Sequence, residues 1–323
     1  ARATVTDANL LLGRIGRGGF LGGRLELDVE AADAALRREV AGPMGYGETE
    51  EDVARIAHGV LDLATTLMTG AIKEVTVARG RDVRDFALMA FGGGGPIFGT
   101  ELARQLGVRQ VIVPPHPGNF STVGMLLAGG RVDAVRSLVA DISPDGVAML
   151  AAVQKELEQE VRETAARELG GPPERIRWQA DMRYRGQRHS LTVDFSGAPT
   201  EAGLKSAFEA AYAERFGLTL SRDFAPEAIG LRAVAEGADA RFDLATLAPA
   251  ADLPPPAGPR TMRRLHVKSL GRLDAPVWDR AALPVGYVIE GPAIIEEYSS
   301  TTLVGPDDVA TVGALGELRI EIG

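Results

Sequence analysis

Four consecutive glycines, Gly92 to Gly95, constrain this chain more than any other feature. An uncharged apolar run, Phe86 to Phe91, enters them, and Pro96 with a helical pattern from Ile97 to Leu106 follows. An aliphatic segment, Val111 to Val113, and a Pro-Pro-His-Pro-Gly loop at 114–118 come next. The order predicts strand, glycine turn, helix, strand, loop, helix, a βαβ unit. One glycine permits positive φ; four together let a backbone pass close to something flat or charged. Pro96 suits a first helical turn, and the free amides there favour an anion, with a nucleotide the obvious candidate. A tight turn without a ligand is the alternative. The run lacks the Gly-Lys-Ser/Thr of a Walker loop, and it lacks the spaced glycines with a following acid of a dinucleotide fingerprint.

The remainder of the chain sets limits on function. Its 323 residues have room for two domains. A hydrophobic content of 45% with 24% charge is that of a globular protein with a sizeable core. A net charge of −9 without a basic cluster argues against nucleic acid. The absence of cysteine excludes disulfides, thiolate metal sites and a cysteine nucleophile. His58, His116, His189 and His266 are scattered without metal-ligand spacing. No apolar run nears the roughly 20 residues of a membrane span, and no signal peptide is visible, so the cytoplasm is expected. The chain starts Ala-Arg-Ala-Thr-Val-Thr-Asp without methionine, which suggests a fragment or a removed upstream segment.

Periodicity places further elements. Thr6 or Asp7 is expected to cap a short helix through Leu10 to Leu12, and Asp7 and Asn9 carry oxygens suited to a hard cation or hydroxyl. Asp28 caps a helix containing Ala31 to Val40. A long helix spans 49–76, with His58 read as packed or solvated and Met68 as core. A second long helix spans 143–169, and 177–184 and 189–195 form a hairpin around Arg185 and Gln187. Residues 200–216 form a helix, 248–259 a linker or surface crossing, and 260–323 punctuated β-structure. Glu296 and Glu297 are strand neighbours that point to opposite faces, which argues against an acid–base pair. The resulting division is residues 1–140 for the nucleotide lobe, 141–250 for an α+β extension and 251–323 for a β-rich module.

Several stretches together resemble the hydantoinase A/5-oxoprolinase family, which includes ATP-dependent ketone carboxylase subunits of the acetone and acetophenone type. They are Thr-Val-Thr-Asp-Ala-Asn (4–9), Leu-Gly-Arg (12–14), Phe-Leu-Gly-Gly (20–23), Arg-Gly-x-Asp-x-Arg-Asp-Phe (79–86), Phe-Gly-Gly-Gly-Gly-Pro (91–96), Val-Pro-Pro-x-Pro-Gly (113–118), Tyr-Arg-Gly-Gln (184–187) and Gly-Pro-Ala-Ile-Ile-Glu-Glu (291–297). The resemblance implies an α/β fold of the actin and sugar-kinase (ribonuclease H-like) type with an α+β C-terminal part and a β-rich module. It implies that Gly92, Gly93, Gly94 and Gly95 lie against the adenosine of ATP. It places Asp7 and Asn9 toward phosphates, Mg²⁺ or substrate. The implied chemistry is phosphoryl transfer to an amide or enolate oxygen, with hydrolysis or carboxylation completed by a hydantoinase B-like partner subunit acting on the small-molecule substrate.

Two departures matter. The family usually has a histidine two residues after the proline, where this chain has Phe98. The family's two acidic, glycine-rich phosphate loops precede the Thr-Val-Thr-Asp-Ala-Asn motif, and nothing here matches them. The resemblance therefore covers only the C-terminal half of such a subunit. Alone, the chain is not expected to hold the phosphates or cleave ATP; a chain or segment carrying those loops is the expected partner. A non-catalytic assembly role is the alternative of another class.

Overall fold

The computed structural model describes residues 2–18, 22, 24–46, 49–218, 224–238 and 242–323. Phe20, Leu21 and Gly23 of one motif lie outside them. The chain divides into two compact units, Ala1–Val123 with Asp243–Gly323, and Gly124–Phe242.

The first unit begins with helices. Thr4, not Thr6 or Asp7, caps α1 (Val5–Leu11), and Asp7 closes a capping box. Helix α2 (Val29–Leu36) starts at Asp28 as expected. Helix α3 (Glu50–Val77) opens with a Thr49–Asp52 capping box. It buries Val53, Ala57, Leu61 and Thr65 along one face. Within the apolar run before the glycines, strand β1 spans Leu88–Met89, and a short 3₁₀ turn, Val83–Asp85, precedes the run. Helix α4 (Gly95–Leu106) then crosses over to β2 (Gln110–Val113), which runs parallel to β1. This is the expected βαβ unit. Helix α5 (Phe120–Leu127) follows the proline loop, and the division between units falls within it.

The second unit is one antiparallel sheet backed by two helices. Its strands are β3 (Arg131–Asp141), β4 (Arg175–Tyr184), β5 (Leu191–Phe195) and β6 (Pro226–Glu236), in the order β3-β6-β4-β5. Helices α6 (Pro144–Glu168) and α7 (Glu201–Phe216) pack Leu150, Leu157, Val161, Leu204 and Phe208 against Met182 and Leu231. Gln187 at the hairpin bonds Tyr212 Oη at 3.0 Å, and Arg185 pairs with Asp141; both serve this unit's own structure.

The chain returns to the first unit with β7 (Thr261–Val267), β8 (Gly271–Asp279), β9 (Val288–Glu290), β10 (Ala293–Glu297), β11 (Ser300–Val304), β12 (Val309–Val312) and β13 (Leu318–Glu321). Strand β13 pairs antiparallel with β2, giving a mixed sheet β1-β2-β13-β12-β9. Strands β11-β10-β8-β7 form another sheet. One buried cluster joins Val111 and Val113 of β2 to Ala310, Leu318 and Ile320, so the last strands complete the sheet that carries the glycine turn. No described helix is long and apolar enough to cross a membrane.

Candidate functional site

The glycine run sits at the end of β1, held from behind and open in front. The Gly92 N–H donates to Pro117 O at 2.7 Å. The Ser300 hydroxyl donates to Gly93 O at 3.3 Å. Gly92 adopts φ +86°, where a side chain is strained. Gly93 and Gly94 are exposed, and a Cβ built on Gly92 or Gly94 meets no atom within 4 Å. Tight packing therefore does not explain the missing side chains at these two positions. Gly94 caps α4 without a side-chain hydrogen bond, and Pro96 stands in the first turn. Helix-start amides without a side-chain cap present partial positive charge to whatever occupies the space above them.

Two segments brace this run. The proline loop carries His116, held in the left-handed region at φ 50°, a conformation uncommon outside glycine. The turn Tyr298–Ser299 approaches from β10, with Ser299 O 3.4 Å from a Cβ built on Gly93. Beside them lies a cavity of about 290 Å³ lined by His116, Asn119, Leu247, Arg280, Glu297 and Ser299. Arg280 and Glu297 form a buried ion pair at 2.8 Å. Arg280 also donates to Val113 O at 3.0 Å and Gly316 O at 2.8 Å, tying β2 and the last turn together. Burial pushes the Glu297 carboxyl up, opposed chiefly by the Arg280 guanidinium. Burial likewise pulls the Arg280 guanidinium down. Glu296 points to the other side, bonding Arg263 at 2.6 Å and pairing with Arg260, as strand alternation requires.

Asp7 and Asn9 occupy α1. Asp7 Oδ2 accepts from the Thr4 N–H at 2.8 Å and the Thr4 hydroxyl at 2.7 Å. Asn9 is buried, and its Nδ2 donates to Val5 O at 3.1 Å. Its Oδ1 has no partner among the described residues, an unusual state for a buried acceptor. One cluster holds Ala8 of α1 and Leu12, which caps its C-terminal end, with Ile97, Phe98 and Leu102 of α4. Helix α1 and the helix that begins at the glycine run thus share a core. Phe98 is part of that core and 7% exposed. No three or more His, Asp or Glu side chains among the described residues gather to hold a metal ion.

A polar network missed by sequence reasoning lies between α3, α4 and β7. His58 Nε2 and His266 Nδ1 are 2.9 Å apart, both buried. Burial, then the neighbouring Arg14 and His266, lower the His58 imidazole from 6.5 to about 4. Arg14 makes a bidentate pair with Glu101 at 2.6 and 3.0 Å. Arg14, Glu101 and His266 line a cavity of about 320 Å³. The Leu-Gly-Arg motif was the available signal for Arg14. Nothing local marks His266, which lies 208 positions from its partner.

The hydantoinase/oxoprolinase family model matches residues 1–134, and the hydantoinase/oxoprolinase C-terminal domain model matches 143–320. An uncharacterized protein of Methanocaldococcus jannaschii is 35% identical over 99% of this chain and 45% of its own length. The caprolactamase subunit alpha of Pseudomonas jessenii is 32% identical over 94% of this chain and 44% of its own length. A solved nucleotide-free acetone carboxylase structure superposes with a TM-score of 0.76 at 23% identity, covering 98% of this chain and 46% of that one. The fold is α/β with several sheets, consistent with an actin-like nucleotide-binding fold plus a β-rich module. The chain spans about half the length of these relatives.

Proposed function

We propose a function from an established premise: the chain belongs to the hydantoinase/oxoprolinase family. It is part of an ATP-dependent subunit that activates a cyclic amide for hydrolysis with a hydantoinase B-like partner subunit. The observation that carries this reading is the glycine run, open above Gly92 and Gly94 at the start of α4. These residues fit a nucleotide: they offer a backbone surface without side chains and a helix start without a side-chain cap. The name of the caprolactamase relative, at 32% identity, supports the cyclic-amide substrate class.

When bound, ATP supplies the phosphoryl group that activates the amide oxygen. Gly92 to Gly95 of this chain accept the adenosine side. Pro117 O and the Ser300 hydroxyl fix the run from behind, so little reorganisation accompanies binding. Asn9, with its free buried Oδ1, offers an acceptor to a donor on the nucleotide, the substrate or the remainder of the subunit. Asp7 Oδ2 is engaged by Thr4 and shapes the start of α1; Asp7 would be this chain's carboxylate toward Mg²⁺ or substrate. The phosphate loops are expected from the part of the subunit outside these residues, together with the carboxylates that complete any Mg²⁺ site.

The test is Gly94→Val in the full-length subunit with its partner. Gly94 sits at φ −103°, with no atom within 4 Å of a built Cβ, so the fold tolerates the change. Unfolding free energy should stay within about 1 kcal/mol of wild type, while ATP binding and ATP-dependent lactam hydrolysis are lost. Wild-type nucleotide affinity in the variant would overturn the assignment. A parallel assay with ketones and bicarbonate separates this activity from carboxylation.

A further inference from the structure

Glycines from three separate motifs converge on a single hairpin loop. Strands β10 and β11 pair with Glu297 opposite Ser300, so Tyr298 and Ser299 form a two-residue connection. The Gly22 N–H donates to Tyr298 O at 3.1 Å. The Ser300 hydroxyl donates to Gly93 O at 3.3 Å, and Ser299 O lies 3.4 Å from a Cβ built on Gly93. Ser299 also meets Gly118, the last residue of the Pro-Pro-His-Pro-Gly segment.

Space, not conformation, requires glycine at 118. Its φ is not positive, so no left-handed geometry calls for it. A Cβ there would stand 2.7 Å from Ser299 Cβ, 3.1 Å from Ser299 O and closer still to Ser299 Oγ. Rotating the hydroxyl away leaves the Cβ–Cβ contact in place, so the backbone of the hairpin loop itself must move. Gly92 and Gly94 differ, because a Cβ built on either meets nothing within 4 Å. The space beside Gly118 is already filled, and Ser299 fills it.

The hairpin loop is anchored close to this contact. At its root Glu297 pairs with Arg280 at 2.8 Å, and Arg280 donates to Val113 O, just before the proline loop. One residue before Gly118, Pro117 O accepts the Gly92 N–H at 2.7 Å. Proline loop, hairpin and glycine run therefore form a closed circuit of contacts: Pro117 to Gly92, Gly93 to Ser299 and Ser300, and Ser299 back to Gly118. Displacing one side of the circuit displaces Gly92 and Gly93.

We infer, on the reading that the glycine run receives ATP, that Gly118 is a positioning residue for the nucleotide. By admitting Ser299 it sets how near the hairpin loop comes, and through Ser299 and Ser300 it sets the place of Gly93. Gly118 itself need not touch the nucleotide. A side chain at 118 would push the hairpin loop off the glycine run and pull on the Pro117–Gly92 hydrogen bond, leaving the run in place but out of register with its ligand.

The experiment is a double-mutant cycle in the full-length subunit with its partner: Gly118→Ala, Ser299→Gly and both together. Gly118→Ala should weaken ATP binding, measured by calorimetry, at least about tenfold when Ser299 is present and less than about threefold in the Ser299→Gly background. In the nucleotide-free subunit, the Gly92 amide should exchange at least about tenfold faster in Gly118→Ala, and the double variant should reverse this. Unchanged ATP affinity in Gly118→Ala, even with lowered stability, overturns the proposal. So does an equal loss in both backgrounds, or an unchanged Gly92 exchange rate. If Gly118→Ala alone does not assemble, the double variant must assemble and bind ATP within about threefold of Ser299→Gly; otherwise the proposal falls. Gly94→Val separates the two readings. Affinity lost there and kept in Gly118→Ala fails the positioning role alone, whereas affinity kept in both fails the nucleotide reading as well.

Discussion

The buried histidine pair offers a quantitative test of how α3 is fastened to β7. His58 is held neutral, with its imidazole lowered from 6.5 to about 4 by burial and by the Arg14 charge. A histidine with a depressed folded value favours the neutral form in the native state. Its contribution to stability is complete above pH 6.5, and it is lost as pH falls toward 4, because only the unfolded chain takes up the proton in that window. A displacement of this size corresponds to about 3 kcal/mol over the window, at 1.36 kcal/mol per pH unit. Carboxylates titrate nearby, so the control is His58→Gln, which keeps a polar group toward His266 Nδ1 and does not titrate. Urea unfolding followed by fluorescence from pH 7.5 to 4 checks this. A Trp178→Phe background leaves Trp278 as the fluorophore, which reports the unit containing α3. The parent should lose about 3 kcal/mol more than the His58→Gln variant across the window. Parallel pH profiles would refute the claim that His58 is held neutral.

Two further outcomes follow from buried ion pairs. Arg14→Met strands Glu101, whose side chain is 32% exposed, so the cost should be about 2 kcal/mol, below that of a fully enclosed pair; equilibrium denaturation measures it against the surface control Arg162→Ala, expected within about 0.5 kcal/mol of wild type. Arg280→Met removes the partner of buried Glu297 and the donor to two carbonyls. It should cost about 3 kcal/mol and move the Glu297 carboxyl further up, which carbonyl infrared titration reads directly.

Much of the fold was legible because its signals are local. The Thr49 start of α3, the Asp28 start of α2, the Ser143 start of α6 and the Gly217 end of α7 are each written within a few residues of where they act. The cap of α1 was misplaced because Thr4, Thr6 and Asp7 all carry capping oxygens, and sequence does not say which residue leaves helical geometry. The predicted strand over Phe86–Phe91 is two residues long, Leu88–Met89, and follows a 3₁₀ turn in which the Asp82 carboxylate accepts from the Arg84 N–H. Within the candidate site, the glycine run declared itself. Its supports, Pro117 and Ser300, did not, since a carbonyl and a hydroxyl acquire meaning only from what they face.

Sequence alone determined the strand–glycine–helix unit, the start and stop of the long helices, the opposite facing of Glu296 and Glu297, and the motifs of the family. Each depends on backbone geometry and side-chain period within one element. Tertiary structure alone decided that β13 lies beside β2, that Ser300 reaches Gly93 across 207 positions, and that His58 meets His266. It also decided that Arg14 closes on Glu101 and that Gly118 makes room for Ser299. Those pairings are selected by which apolar faces can be buried together, a property of the whole chain that no local window contains.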